Sequence, residues 1–419
     1  MQNYISDDEM FELISREEER QRSQLLMIPS ENITSEQVKK AVGSVLMNKY
    51  AEGQPGKRYY QGMKHVDDIE SLVERRALQA FCLDDQKWMV NVQPAGGSIA
   101  NLAVYNALLN PGDTIMAMSL YDGGHLSHGW QLPDGKKISF TSKIFNPVFY
   151  GVDEDTGLFD YDKVLDIAKA NKPKLIISGG TAYPRQIDHS KLRKIADEVG
   201  AFYMADIAHE AGLIIAGVNN SPFDYADVVT MTTRKTLRGP VGAMIFAKAE
   251  HGEAIDKSVF PGLQGGPQIH TIAGIGVALY EAMQPAFRQY AMDVVENAKE
   301  LAHLLKDGGY DVVTGGTDKH LILVDLRNKN LGGTEIANAL ESANIIINKN
   351  TVPGETGKPW RPSGIRMGTP AITTRGVKKE DMIKIYSWID KVIKNYLEYS
   401  VIGDVAKEVK EFALLLKKV

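Results

Sequence analysis

Between residues 88 and 250 the chain changes period repeatedly, with short apolar runs alternating with stretches patterned for helix. "DTIMAMSL", "PKLIISGG", "AFYMAD", "DVVTMTT" and "GAMIFAK" are too short for buried helices, whereas "GSIANLAVYNALL" and "KLRKIADEVG" space their apolar residues as helices do. An apolar run without alternation is a strand covered on both faces, and helices between such strands supply the cover. The pattern predicts an α/β fold with a mostly parallel sheet. In open parallel sheets ligands bind at the carboxyl ends of the strands. The polar residues that end each run are therefore the first places to look for chemistry.

The flanks read differently. Residues 6–25 are predicted as an amphipathic helix, with Ser6 as N-cap and Phe11 and Ile14 on one face. Residues 43–62, "GSVLMNKYAEGQPGKRYYQG", are a Gly- and Pro-broken loop that carries tyrosines and Glu52, and helix follows at 66–82. One long helix is predicted over about 268–307. Strand "HLILVDLRN", helix "GTEIANALESA", strand "NIIINKN", the turn-rich "TVPGETGKPWRPSG", and "GIRMGTPAITTRG" before two last helices complete the chain. We divide its 419 residues into an N-terminal arm (1–25), a large domain (26–279) and a smaller C-terminal α/β domain (280–419).

A formal net charge of −5 without a long basic run argues against nucleic acid or an anionic membrane as the main partner. No stretch approaches the ~20 apolar residues of a membrane span, and the acidic N-terminus lacks the basic and apolar regions of a signal peptide. The single cysteine, Cys82, cannot form an internal disulfide. It fits a reducing, cytoplasmic setting and reads as a packed core thiol.

Five features stand at the ends of elements. Gly96, Gly97 and Ser98 open a helix and offer backbone N–H groups to an anion, although neither a P-loop nor a GxGxxG pattern is present and a plain tight turn would look the same. Asp206 ends "AFYMAD", either as a cap for the next helix or as partner to a protonated ring nitrogen, and His209 follows it. Lys235 lies between Arg234 and Arg238 where a buried strand ends, a costly place unless the amine is paired, solvated or neutral. His125 has glycines beside it, which permit close approach to a flat ligand. Arg366, in "SGIRMGTP", has the planar fork that suits a carboxylate. An anion cradle, an acid, a lysine, a flat ring and a carboxylate fork are the parts that pyridoxal phosphate and an amino acid require. No metal is expected.

Ordered motifs then carry a resemblance: "IPSENITS", "NKYAEGQPGKRYYQG", "NLAVYNALLNPGDTIMAMSL", "GGHLSHG", "ADIAHEAGL", "VVTMTTRKTLRGP", "FPGLQGGP", "GGTDKHLILVDL", "NKNTVPGETGKP" and "SGIRMGTPAITTRG". Over nearly its full length the chain resembles the serine hydroxymethyltransferase (glycine hydroxymethyltransferase) family. The resemblance implies a fold-type I, aminotransferase-like architecture. Its large domain has a mostly parallel seven-stranded sheet between helices, with a smaller C-terminal α/β domain, in a homodimer or a dimer of dimers. The implied reaction converts L-serine and tetrahydrofolate reversibly to glycine and 5,10-methylenetetrahydrofolate, with pyridoxal 5'-phosphate as cofactor and tetrahydrofolate as co-substrate. It serves glycine biosynthesis and one-carbon metabolism.

By the same resemblance Lys235 holds the cofactor, Asp206 pairs with its ring nitrogen, His209 lies near its phenolic oxygen and His125 stacks on its ring. Gly97, Ser98 and Thr232 serve the phosphate, with Gly266 supplied by the neighbouring subunit, and Thr181 stands near the cofactor where the family usually has serine. Ser30 and Arg366 take the substrate carboxylate. Tyr50, Glu52 and Tyr60 reach the site from the partner chain, with Glu52 as the acid/base candidate. Leu120, Gly124, Leu126 and Asn350 match folate contacts. Three departures stand out. Arg234 replaces the family's histidine before the lysine, Val241 replaces the arginine of "GPRGG", and Ala95 and Gly96 replace the histidine and first serine of "QPHSGS". Arg234 is expected to make up part of the charge lost at Val241. A folate-independent threonine or allo-threonine aldolase or transaldolase on this scaffold would need Lys235, Asp206 and Arg366 but not Glu52, Leu120, Leu126 or Asn350. Retention of those four favours the folate-linked reaction.

Overall fold

The computed structural model describes residues 7–355 and 360–418, so part of the turn-rich stretch after Asn350 lies outside the described residues. Seven strands form the central sheet: β1 (Trp88–Asn91), β2 (Thr114–Met118), β3 (Asn146–Tyr150), β4 (Leu175–Ser178), β5 (Phe202–Asp206), β6 (Val228–Thr232) and β7 (Ala243–Lys248). Their order is β1-β7-β6-β5-β4-β2-β3. Strands β2 to β6 run parallel, and β7 runs antiparallel to both of its neighbours. This is the expected mostly parallel, seven-stranded sheet. Every residue of β4 and all but the last of β6 are buried, as their unbroken apolar runs require. Register sets Asp206 beside Thr230 and Ser178 beside Ala205. The polar residues that follow β4, β5 and β6 therefore emerge along one edge of the sheet.

Helix α1 (Asp8–Ser23) is capped by Asp7, not by Ser6, which lies outside the described residues. The Asp7 carboxylate accepts the Met10 N–H at 3.1 Å. None of the α1 residues is buried, so the apolar face with Phe11 and Ile14 lies open on the single chain. Helix α2 (Lys64–Ala80) ends just before Cys82, which is exposed and not the packed thiol expected. The backbone there turns left-handed (φ 56°) to end the helix, and Ala80 takes the buried position instead. Helix α3 (Gly97–Leu108) packs beneath the sheet. The long helix expected over 268–307 is two helices, α4 (Ile269–Ala282) and α5 (Pro285–Asp307). Pro285 has no N–H to continue the ladder but fits the first turn of a new helix.

A second sheet follows, from β8 (Asp311–Val312), β9 (Leu321–Asp325), β10 (Asn348–Asn350) and β11 (Gly364–Gly368), all antiparallel in the order β8-β9-β11-β10. The run "NIIINKN" is divided: Ile345–Ile346 pairs with Leu25–Leu26, and only Asn348–Asn350 joins this sheet. Helix α5 joins the two cores. Its first half packs Phe287, Tyr290, Ala291 and Val294 on the large-domain core, and its second half packs Leu301, Ala302 and Leu305 into the other. Leu25 and Met27 belong to that second core as well. No described helix is long and apolar enough to cross a membrane.

Leu301 is fully buried where α5 enters the second core. Leu301→Ala is expected to cost about 2–5 kcal/mol, seen as an earlier urea midpoint for loss of helical circular dichroism. An unchanged midpoint would show that this junction carries no stability.

Candidate active site

A cavity of about 150 Å³ opens at the carboxyl ends of β4, β5 and β6. Gly180 and Thr181 come from the first of these ends, Asp206, Ala208 and His209 from the second, and Thr232, Arg234 and Lys235 from the third. Gly97 and Ser98 at the start of α3, with His125 and His128, complete the wall.

The loop that presents Lys235 is tied down on every side. Thr233 Oγ1 donates to Pro240 O at 2.6 Å, and the Gly239 N–H donates to Thr233 O at 2.7 Å. Asn32 Nδ2, from "IPSENITS", donates to Lys235 O at 2.9 Å. Arg238 stacks on Tyr290 at 4.4 Å. The lysine itself is 8% exposed. Burial, reinforced by Arg366 and Arg234 against the pull of Asp206, lowers its pKa to about 8. Dehydration is the main reason that part of this amine is neutral; the neighbouring cations, which the sequence pointed to, come second.

Asp206 does not cap the next helix, which starts at Ala211 after Glu210. Its Oδ2 accepts from Asn101 Nδ2 at 2.8 Å and from His128 Nε2 at 3.0 Å, and its Oδ1 accepts the Ala208 N–H at 3.0 Å. Burial alone would raise this carboxyl, but the hydrogen bond and field of His128, with His125 and Asn101, hold it well below the usual range. It stays an anion facing the cavity, and Oδ1 keeps a lone pair for a ligand. His125 accepts a hydrogen bond from, or donates one to, Ser127 Oγ at 2.7 Å, and burial lowers it to about 4, so its ring is neutral. His209 Nδ1 lies 3.2 Å from Nε2 of His320, which stands just before β9 in the other domain.

The first turn of α3 has no side-chain cap, and Gly97 and Ser98 at its start line the cavity. A Cβ on Gly97 would come 2.6 Å from Thr232 Cγ2, so a larger residue here would displace the Thr232 side chain. Arg366, in the middle of β11, is 6% exposed. Its Nε donates to Asn348 Oδ1 at 3.0 Å and its Nη1 to Thr181 O at 2.5 Å. No carboxylate among the described residues pairs with it, and burial lowers its pKa to about 10. A buried cation without an anion is a receiver for one.

A second cleft, of about 310 Å³, shares Thr181 with the first and is lined by Leu120, Gly124 and Asn350, together with Tyr121, Trp130 and Lys349. At Gly124 a Cβ would come 2.1 Å from Met118 O, which requires glycine. Leu126 is half exposed and outside this lining. A third group is gathered away from both. Tyr50 OH donates to Glu52 Oε1 at 3.2 Å, the Tyr50 and Tyr60 rings meet edge to face, and Gly265 and Gly266 lie against Glu52 and Tyr50. Arg58, bonded to Asp67 at 2.9 Å and to Glu70 at 2.5 Å, anchors this hairpin. Ser30 is half-buried beside Pro29, which touches Gly368 at the end of β11, and does not line the cavity.

The structure thus brings together Lys235, Asp206, His209, His125, Gly97, Ser98, Thr181 and Thr232. It leaves Tyr50, Glu52, Tyr60 and Gly266 as a separate group. Of the departures, Arg234 lines the cavity, while Val241 is exposed and outside it. Sequence reading missed His128, Asn101, Lys319 and His320. "GGHLSHG" does show a second histidine, but nothing in it names Asp206 as the partner.

In cofactor-free protein the Lys235 amine is expected to be acylated with a midpoint near pH 8. Arg366→Leu removes a cation that lowers Lys235 and moves that midpoint upward, while Arg366→Lys leaves it in place. Mass-spectrometric labelling of the Lys235 peptide across pH measures both. A midpoint near that of an ordinary lysine, about 10.4, would refute the assignment.

Comparison with known proteins agrees with this arrangement. The family model described as serine hydroxymethyltransferase matches residues 4–389. The chain is 51% identical to the serine hydroxymethyltransferase of Desulfotalea psychrophila over 404 residues, 96% of this chain and 92% of that protein. It is 51% identical to that of Acidothermus cellulolyticus, covering 92% of this chain and 88% of the relative. The enzyme of Methanosarcina barkeri is also 51% identical, over 97% and 96% of the two chains. The chain belongs to the serine hydroxymethyltransferase family.

Proposed function

We propose that this protein converts L-serine and tetrahydrofolate reversibly to glycine and 5,10-methylenetetrahydrofolate, using pyridoxal phosphate. The observation that carries the folate-linked reading is the second cleft, which meets the first at Thr181 and gathers Leu120, Gly124 and Asn350. The cavity fits the cofactor. The uncapped start of α3 beside Gly97, Ser98 and Thr232 suits its phosphate, Asp206 is an anion for its ring nitrogen, and Lys235 has an amine that is partly neutral. When bound, pyridoxal phosphate supplies an aldehyde for amines and a ring that takes up the electron pair left when a bond to Cα breaks.

The protein's own residues do the rest. Neutral Lys235 Nζ is the form that can attack a carbonyl carbon. Asp206 holds a proton on the ring nitrogen, and His128 and Asn101 keep that carboxylate ionised and oriented. The neutral ring of His125 offers a flat face without adding charge. Arg366 binds the substrate carboxylate with a guanidinium already dehydrated and already fixed by Asn348, so little ordering is left to be lost on binding. Glu52 moves the proton at the serine hydroxyl, with Tyr60 beside it, and both come from a second copy of the chain. Two features support that assembly: the Tyr50–Glu52–Tyr60 group stands apart from the Lys235 cavity, and Met10, Phe11, Val45, Met47 and Tyr59 leave apolar surface open.

Purified protein is expected to form glycine from serine only when tetrahydrofolate is present, with slower cleavage of threonine and allo-threonine run alongside. Serine cleavage that ignores tetrahydrofolate would refute the folate-linked reading and favour the aldolase. Mixing a Lys235→Ala chain with a Glu52→Gln chain tests the sharing of sites. Random pairing of a two-fold dimer restores about a quarter of wild-type activity if Glu52 serves the other copy. No recovery would place Glu52 in its own chain's site.

A further inference from the structure

His209 and His320 meet across the domain boundary, His209 after β5 and His320 just before β9. Their rings are nearly parallel, 19° apart with centroids at 5.4 Å, and His209 Nδ1 lies 3.2 Å from His320 Nε2. One of these two nitrogens carries the shared proton. The remaining nitrogens, Nε2 of His209 and Nδ1 of His320, are buried without a protein partner. Each arrangement leaves one N–H over: on Nδ1 of His320 if His209 donates, on Nε2 of His209 if His320 donates. An unpaired buried N–H is a costly orphan. His209 lines the cavity and His320 does not, so only the second arrangement leaves the N–H where a ligand can accept it.

The surroundings set the charge of the pair. The charged groups facing the pair are Lys235, Lys319 and Arg366. The carboxylate nearest them in sequence, Glu210, is bound to Lys319 in a buried ion pair. Lys319 and Glu210 are the residues beside His320 and His209, so a second cross-domain contact holds the first in register. Burial and these cations push both imidazoles well below their ordinary range, so both are neutral.

We propose that His320 is a positioning residue: by donating from Nε2 to Nδ1 of His209, it fixes His209 as the tautomer whose N–H is on Nε2, the nitrogen left for a bound ligand. His209 lines the cavity and meets the ligand as a neutral donor. That the ligand atom is the phenolic oxygen of pyridoxal phosphate rests on the functional reading above; the tautomer rests on His209, and not His320, lining the cavity.

Long-range ¹H–¹⁵N spectra of the cofactor-loaded protein, labelled with ¹⁵N-histidine, read the tautomers directly. The wild type is expected to carry the His209 proton on Nε2 and to show a bare Nδ1 on His320. His320→Gln, whose amide can still donate, keeps the His209 tautomer. His320→Leu releases it to Nδ1–H, shifts the pH midpoint of the visible cofactor band, and lowers kcat roughly tenfold, the size of one hydrogen bond, with little change in the serine KM. A wild-type spectrum with the His209 proton on Nδ1 overturns the proposal, and so does a His209 tautomer that His320→Leu leaves unchanged. Equal losses in the Gln and Leu variants would also overturn it, since they would mark a packing role alone. Failure of the functional reading shows separately, as a wild-type protein without a visible cofactor band.

Discussion

A buried cavity with more cations than carboxylates is the constraint around which this molecule is arranged. Lys235 and Arg234 line it, Arg366 is buried outside its lining but close enough to lower Lys235, and Asp206 is the carboxylate that faces them. Water cannot stabilise charges that are sealed in protein, so the site is poised to take up anions. The phosphate and carboxylate proposed above for the start of α3 and for Arg366 would satisfy that demand. The same burial lowers Lys235 enough to make part of it a nucleophile. Specificity for anionic ligands and reactivity of the amine thus have one cause.

The sheet makes this possible because parallel register delivers three strand ends to one edge. Strands β4, β5 and β6 are adjacent, and each ends in a polar turn that enters the cavity wall. Backbone spacing across a sheet is short, about 4.8 Å between neighbours, so residues from three distant stretches of sequence converge without a long loop. The loop after β6 is held by Asn32, Thr233 and the stacking of Arg238.

The residues legible in the sequence were those whose local setting is unusual. Lys235 at the end of an apolar run, Asp206 at the end of another, and Gly97–Ser98 opening a helix each break a local pattern. His128, Asn101, Lys319 and His320 break none. Their meaning lies in partners 78, 105, 109 and 111 positions away, and periodicity carries no information over such distances. Cys82 failed for a related reason. Its apolar neighbours suggested a core, but the helix ends there in a left-handed turn that faces it outward. The α1 face and the Tyr50–Glu52–Tyr60 group were legible as apolar and as chemically unusual. A single copy of the chain leaves both of them open.

Arg366, proposed above to bind the substrate carboxylate, lies between Ile365 and Met367 of the second core, and rigidity decides whether that can work. Arg366 lies on β11, in a core of its own, while Lys235 belongs to the large domain. Two soft domains would let these groups drift, and an ångström of drift is costly when a reacting atom must be placed. Helix α5 limits this by packing continuously into both cores, since bending it would empty contacts at one end or the other. Across the boundary, Arg366 donates to Thr181 O, and the Glu210–Lys319 and His209–His320 pairs join the same two bodies. The polar contacts are short and directional and cluster within a few residues of the cavity. The apolar contacts of α5 supply the bulk of the attachment and the polar ones its register, which is why a domain boundary can run through an active site without loosening it.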